Sequence, residues 1–355
     1  MSKRIVAIDA TLVAGTSTGD STYWTGLLEG LAQTQSEFRF LLLSNREPGP
    51  DVPELDDRFE WKVLRSKGRW LSAVAMPRFA AASGACVFHT QYTLSPLARG
   101  GVTTIHDVSF FVEPNWFRPK DRFLLRRTVP PSARRAKRVI TVSENSKADI
   151  VRFLCVGREK VAVTPLAAGR QFVPTDPTNT LKKYEIEEPY LFALGTRWPR
   201  KNIQLAVEAC ERLPKSVPHR LLVAGKEGWG VQESGKRTRY LGYVQAEDLP
   251  ALYSGASLFL MPSLYEGFGL PVLEAMACGT PVVCSVGGSL SEVAGEAGRI
   301  VQSFDANDWA NEIQTVLGDA NIIESLRDKG LARAKQFDWV RTAEQTLEVY
   351  REAAE

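Results

Sequence analysis

Cysteine is sparse in this chain and widely spread. Its five cysteines, Cys86, Cys155, Cys210, Cys278 and Cys284, make no Cys-x-x-Cys pair, and their odd number leaves one without a partner. That excludes a disulfide framework and a zinc ribbon and points to a reducing compartment. No uncharged apolar run reaches the ~18 residues of a membrane span. The opening residues pass from Lys3-Arg4 straight into an apolar run, too soon for a secretory signal. A cytoplasmic location is the expectation, with contact at the inner membrane surface as an addition to it. The net charge of +3 is too small to call for a nucleic-acid partner. The phosphate-binding fingerprint Gly-x-Gly-x-x-Gly is also missing, which weighs against a nicotinamide-dependent oxidoreductase.

What is present is an alternation of short apolar runs with helical stretches. With 355 residues the chain exceeds what one core usually holds. Strands are expected at 5–8, 38–43, 85–89, 102–105, 138–142 and 161–164, with a helix near 21–34. A second series begins at 190–194 and continues through 221–224, 258–261, 282–284 and 299–301. Alternation of this kind gives α/β domains with parallel sheets covered on both faces. The turn formers between Phe172 and Asn179 mark a linker. The expected organisation is a first Rossmann-like domain over 1–175, a second over 176–336, and a closing helix over 337–355. Two such halves would face a central cleft with their strand carboxyl ends, where open α/β sheets bind ligands.

The most informative stretch is 261–284, a strand end, a glycine-bearing turn, a helix and another strand. Pro271 falls in the first helical turn, where proline is tolerated, and Gly279 follows the helix end. Glu266 and Glu274 are separated by seven residues, so one lies on the loop before the helix and the other two turns later. Gly267 opens the turn, and the N–H groups of Phe268, Gly269 and Leu270 lie at the helix start, where donors lack intrahelical partners. Amide donors flanked by two carboxylates suit a ligand that is both phosphorylated and polyhydroxylated, such as a sugar nucleotide. Alone, two glutamates at a helix start are better explained by the helix dipole.

The Glu-x7-Glu pattern with Gly-Phe-Gly-Leu-Pro inside it resembles the signature of the retaining glycosyltransferases called family 4. The resemblance extends over nearly the whole chain, to the Phe337-Asp338-Trp339 segment before the last helix. It implies the two-domain GT-B fold, with the last helix crossing back to the first domain. Gly195-Thr196-Arg197-Trp198-Pro199-Arg200-Lys201-Asn202 matches the family's Gly-Thr-x-x-Pro-Arg-Lys-Asn run, which assigns Arg200 and Lys201 to the donor diphosphate. Adjacent cations before a helix are suited to that charge. Thr-Ile-His-Asp-Val-Ser-Phe resembles the family's His-Asp stretch and places His106 beside the reacting sugar carbon. A histidine at a strand's carboxyl end can bond a hydroxyl or stabilise developing charge. The Gly242-Tyr243-Val244 segment corresponds to the loop against the nucleobase, which brings in Val244, although a plain strand-to-helix turn reads the same way.

Two stretches fit less closely. The loop 14–21 after the first strand carries Gly15 and Gly19 and several hydroxyls, and Gly19 matches one family glycine. Asp20-Ser21 depart from the usual pattern. Between Arg118 and Arg138 stand nine basic residues and one acid, Asp121, with Arg122, Arg126 and Arg127 near one helical face. This reads either as a solvated basic helix or as a peripheral membrane contact that meets a lipid-linked acceptor. No nucleic-acid module is recognisable.

The activity implied is transfer of a hexose from a nucleoside-diphosphate sugar to an acceptor hydroxyl of a glycan or lipid-linked saccharide, with retention. Glu274 would hold the ribose, while Glu266 and the 268–270 amides hold the sugar. No Asp-x-Asp pair occurs, so no metal and no other cofactor is expected. The Thr-Ile-His-Asp and Pro-Arg-Lys-Asn runs lean toward mannose from GDP-mannose, with UDP-glucose the alternative. A non-catalytic sugar-nucleotide binder would share the fold but would not need His106, Glu266, Glu274, Arg200 and Lys201 together.

Overall fold

A computed structural model describes residues 4–13, 19–49, 52–66, 68–187, 189–228 and 235–355. The chain divides into two compact units, Met1–Leu166 with Asp338–Glu355, and Ala167–Phe337. The first holds strands β1 (Arg4–Asp9), β2 (Phe38–Ser44), β3 (Phe59–Val63), β4 (Ala85–Gln91), β5 (Gly101–Thr104), β6 (Arg138–Thr141) and β7 (Val161–Val163). They form one parallel sheet in the order β3-β2-β1-β4-β5-β6-β7. The second unit holds β8 (Tyr190–Leu194), β9 (Arg220–Ala224), β10 (Thr238–Gly242), β11 (Leu258–Met261), β12 (Val282–Ser285) and β13 (Gly298–Val301). Their order is β10-β9-β8-β11-β12-β13, again all parallel.

The central strands are nearly continuous apolar runs because both faces of each sheet are covered. Tyr190, Leu191, Phe192 and Ala193 of β8 are all fully buried, as are Leu258, Phe259 and Leu260 beside them. In each sheet the strand order reverses once, between β1 and β4 and between β8 and β11. Loops leaving neighbouring strands part at such a switch point and open a crevice at the carboxyl ends. The catalytic candidates of the second unit sit on the loops after β8 and β11.

The last helix, Trp339–Ala354, belongs to the first unit and packs on the helix Gly19–Gln33. Two glycines make that approach close: a Cβ on Gly26 would lie 2.1 Å from the Trp339 ring, and one on Gly30 would lie 2.1 Å from the Trp339 carbonyl. Asp338 caps the helix by accepting from Val340 N at 3.0 Å. The turn-rich segment 172–179, where the sequence places a linker, lies within the second unit. Phe172 is buried there against Tyr253, and Thr175 N donates to Ser254 Oγ at 3.0 Å.

Edge strand β3, Phe-Glu-Trp-Lys-Val, is absent from the expected strands. It alternates charged and aromatic residues and is only half buried, so it lacks the apolar run of the interior strands. No helix among the described residues is long and apolar enough to cross a membrane.

Candidate active site

The loop after β8 begins with Gly195, at φ +154°, over which the Lys201 side chain passes: a Cβ there would lie 3.5 Å from its Cδ. Gly225 approaches so closely that a Cβ would sit 2.1 Å from the Gly195 carbonyl. One 3-10 turn, Pro199–Lys201, then carries both cations, and Asn202 in the left-handed region (φ 48°) turns the chain into the helix Ile203–Arg212. Leu264 N donates to the Arg200 carbonyl at 2.8 Å, tying this turn to the loop after β11.

That second loop brings Glu266 to the cations. Lys201 Nζ donates to Glu266 Oε1 at 2.8 Å, and Arg200 Nη1 donates to Glu266 Oε2 at 3.1 Å and to the Tyr265 carbonyl at 2.8 Å. Glu266 is 6% exposed. Burial opposes its ionisation, but the adjoining Lys201 and Arg200 outweigh burial and hold its pKa below the ordinary carboxylate value. The backbone is fixed from a third loop. Ser289 Oγ donates to the carbonyls of Glu266 (3.0 Å) and Phe268 (2.7 Å), and Glu266 N donates to the Gly287 carbonyl at 3.3 Å. Gly288 has φ +65° and room for no side chain, since a Cβ would meet the Glu266 carbonyl at 2.3 Å.

Glu274 lies on the helix Leu270–Ala277, entered through Gly269 at φ 100° with Pro271 in its first turn. It is buried and accepts from Tyr253 Oη at 2.9 Å. Burial pushes its pKa up to about 7, against the lowering pulls of the Tyr253 hydrogen bond and Lys201. Tyr253 is itself enclosed by Phe172, Phe192 and Phe259. The Glu-x7-Glu spacing thus separates two different carboxylates, one ionised between cations and one poised near neutrality in an apolar wall.

The raised pKa carries a stability consequence. The folded state retains a proton on Glu274 that the unfolded chain releases near 4.5, so the contribution of this residue to stability is fully present below that pH and is lost as pH rises through 7. A shift of this size corresponds to about 3 kcal/mol. Glu274→Gln should flatten the profile, so urea unfolding at pH 5 and pH 8 should show a wild-type loss of that order that the variant lacks. Parallel profiles would mean that Glu274 does not titrate in this window.

Val244, assigned to donor binding, is buried behind the turn at Gly242 (φ +69°), whereas Tyr243 beside it is 52% exposed with Lys226 Nζ 5.2 Å from its ring centroid. The exposed neighbour, rather than Val244, is therefore the side chain available to a ligand at this turn. Gly267, Phe268 and Gly269 are buried, and Phe268 packs edge-on against Phe337.

In the first unit, His106 follows β5 and meets Gln91, the last residue of β4, through its Nε2. Trp24 Nε1 donates to Gln91 Oε1 at 2.9 Å, and the Tyr23 ring stands edge-on to His106 at 4.9 Å. The Asp107 carboxylate is engaged by Ser109, accepting from Ser109 N at 2.8 Å and Ser109 Oγ at 2.5 Å. Residues 14–18 of the glycine loop lie outside the described residues, and Gly19 is the first residue of the helix that carries Tyr23 and Trp24. Sequence reasoning misses a polar chain beneath His106. The buried His89 shares its ring nitrogens with Tyr350 Oη (2.7 Å) and Thr104 Oγ1 (2.8 Å), and Thr104 Oγ1 also meets Tyr23 Oη at 2.8 Å. Burial, with a smaller contribution from His106, pushes the His89 pKa down to about 3, so it stays neutral. Tyr350 is 261 positions from His89, which is why no local pattern reveals the pair.

Among the described residues no three His, Cys, Asp or Glu side chains gather as a metal site. A cation pair facing a buried carboxylate at a switch point, with a second carboxylate one turn into the following helix, has the chemistry to accept a phosphorylated, hydroxyl-rich ligand.

Comparison with known proteins identifies the family. Residues 18–167 match the family model described as a glycosyl transferase 4-like domain, and residues 188–319 match that of glycosyl transferases group 1. The O-antigen chain mannosyltransferase B of Escherichia coli is 40% identical over 266 residues, covering 70% of each chain. The serotype-specific mannosyltransferase WbdA of Escherichia coli is 29% identical over 234 residues, and the match spans only 28% of its length. Among solved structures, a sucrose-phosphate synthase from Thermosynechococcus elongatus superposes with a TM-score of 0.75 at 24% identity, covering 98% of each chain. The architecture is therefore the GT-B fold, built from two Rossmann-like parallel-sheet domains. The chain belongs to the group 1 glycosyl transferases, the family 4 enzymes, and is a glycosyltransferase.

Proposed function

We propose that the enzyme moves mannose from GDP-mannose to a hydroxyl of a glycan or lipid-linked saccharide, retaining the anomeric configuration and needing no metal. The Arg200–Glu266–Lys201 cluster carries the reading. Two cations held at a fixed separation answer the charge that gathers on a departing diphosphate. The lean to mannose rests on the 40% identity to an O-antigen mannosyltransferase. Glu274 would accept from the ribose hydroxyls, Glu266 would bond the sugar alongside the amides of Phe268, Gly269 and Leu270, and His106 would contact the reacting sugar.

The reaction is written as a same-face exchange. The bond from the anomeric carbon to the phosphate oxygen breaks, the acceptor oxygen bonds to that carbon, and the acceptor proton passes to the leaving phosphate. A double displacement would use Glu266 as nucleophile, but both of its oxygens are already engaged by Lys201 and Arg200.

The test is a thermal-shift series with GDP, UDP and ADP, each with magnesium and with EDTA. A ligand bound by the native state stabilises it by about 2.7 kcal/mol at 100 times its dissociation constant. GDP should raise the melting temperature equally in both buffers, and Glu274→Ala should remove most of the shift. A shift with UDP alone moves the donor to UDP-glucose, and a shift only with magnesium overturns the metal-independent mechanism. Proton NMR of the anomeric signal in product decides retention.

A further inference from the structure

We propose that Gln91 is a positioning residue that fixes His106 as its Nδ1–H tautomer, so that the ring serves the sugar as a hydrogen-bond donor and not as a general base. The inference rests on the reading that His106 contacts the reacting sugar. It starts from Trp24, whose indole Nε1 can only donate and does so to Gln91 Oε1 at 2.9 Å. That bond decides which way the Gln91 amide faces. Its NH2 group is turned to His106 Nε2, and reversing the amide would set N–H against N–H at the indole. Gln91 therefore donates, Nε2 accepts, and the single proton of the neutral imidazole lies on Nδ1. With its lone pair committed to Gln91, Nε2 cannot take a proton from an incoming hydroxyl. This agrees with an exchange in which the leaving phosphate takes that proton.

The surroundings hold each member of this arrangement in place. His89 and Gln91 alternate along β4, so both project from one face of the sheet, where the helix Gly19–Gln33 carries Trp24. Trp24 is fully buried and stands edge-on to His89 at 4.8 Å, which fixes the indole that orients Gln91. Gln91 pairs in the parallel ladder with Thr104, the strand residue whose hydroxyl joins His89 to Tyr23. The rings of Tyr23 and Tyr92 stand edge-on to the imidazole, at 4.9 and 5.9 Å, and limit its rotation away from Gln91. Tyr92 is held in the left-handed region at φ 56°, with its N–H on the Thr104 carbonyl at 2.8 Å. A bulky residue adopts that conformation rarely, and such residues cluster at functional sites.

Long-range proton–nitrogen NMR of the full chain, labelled with nitrogen-15 histidine, reads the tautomer without any activity measurement. The chain has three histidines, His89, His106 and His219, and the signals lost in His106→Ala identify that ring. At pH 8 wild type should show Nδ1 of His106 protonated and Nε2 bare. Gln91→Glu presents only acceptors, so the proton should move to Nε2. Gln91→Met, similar in length but without a donor, should give a mixture of both tautomers. With the donor selected by the nucleotide series, each variant should lower kcat about fivefold, the worth of one oriented hydrogen bond, and leave KM nearly unchanged. A wild-type His106 protonated on Nε2, or a Gln91→Glu spectrum identical to wild type, would overturn the proposal. So would full turnover in both Gln91 variants where His106→Ala is impaired. Full turnover in His106→Ala itself would overturn the placement of His106 and with it this role, and the spectra keep the two failures apart. Unchanged melting temperatures separate loss of positioning from misfolding.

Discussion

Glu266→Ala is expected to destabilise the second unit by about 3–5 kcal/mol, the usual cost of breaking a buried ion pair from one side. The reason is asymmetric. Glu266 compensates two cations whose side chains are only 13% and 15% exposed, and alanine removes the carboxylate to which both are bonded. Glu266→Gln keeps the shape but removes the charge, so it should recover the packing and still lose most of the electrostatic compensation. Urea denaturation of the two variants beside wild type gives the ordering. If the cations line a diphosphate seat, added inorganic diphosphate should return part of the lost stability to Glu266→Ala by mass action. It should do less for wild type, where Glu266 already compensates the two cations. A variant as stable as wild type, or one that diphosphate does not rescue, would mean that Arg200 and Lys201 find other partners and that the seat is misplaced.

The same pair of loops shows what the sequence reveals and what it hides. The strands that flank the site, β8 and β11, agree with the expected spans at 190–194 and 258–261 because buried parallel strands are unbroken apolar runs. The helix after Gly269 is equally legible, since Pro271 and Gly279 punctuate both of its ends. The meeting of Arg200, Lys201 and Glu266 is not legible. These residues are 65 and 66 positions apart, and only the adjacency of β8 and β11 at the switch point joins them. Tyr253 is hidden for a different reason. Its hydroxyl is the partner of Glu274, but in sequence it is one aromatic in an apolar helix and reads as core. The basic stretch is visible as composition, yet the groove it lines also depends on Phe111 and Phe153, contributed by helices on either side of it.

Lys201→Ala should lower kcat/KM by about 10²–10³, the range seen when one preorganised group that stabilises developing negative charge is removed. In the proposed reaction the leaving diphosphate gains charge as the glycosidic bond lengthens, so Lys201 interacts more strongly with the transition state than with bound donor. The loss should therefore fall mainly on kcat, with a smaller rise in KM. Its effect on folding should be slighter than that of Glu266→Ala, because Glu266 keeps the bond from Arg200 at 3.1 Å. Lys201→Arg is an informative intermediate: it restores the charge, but the guanidinium is planar and bulkier than the ammonium, whose methylene stem now crosses Gly195. Steady-state kinetics with the donor selected by the nucleotide series give both constants, and the exposed Lys215→Ala serves as control. A Lys201→Ala enzyme whose KM rises with kcat unchanged would place the lysine in ground-state donor binding. One unchanged in both constants would remove it from the site and leave its ion pair with Glu266 as a structural feature alone.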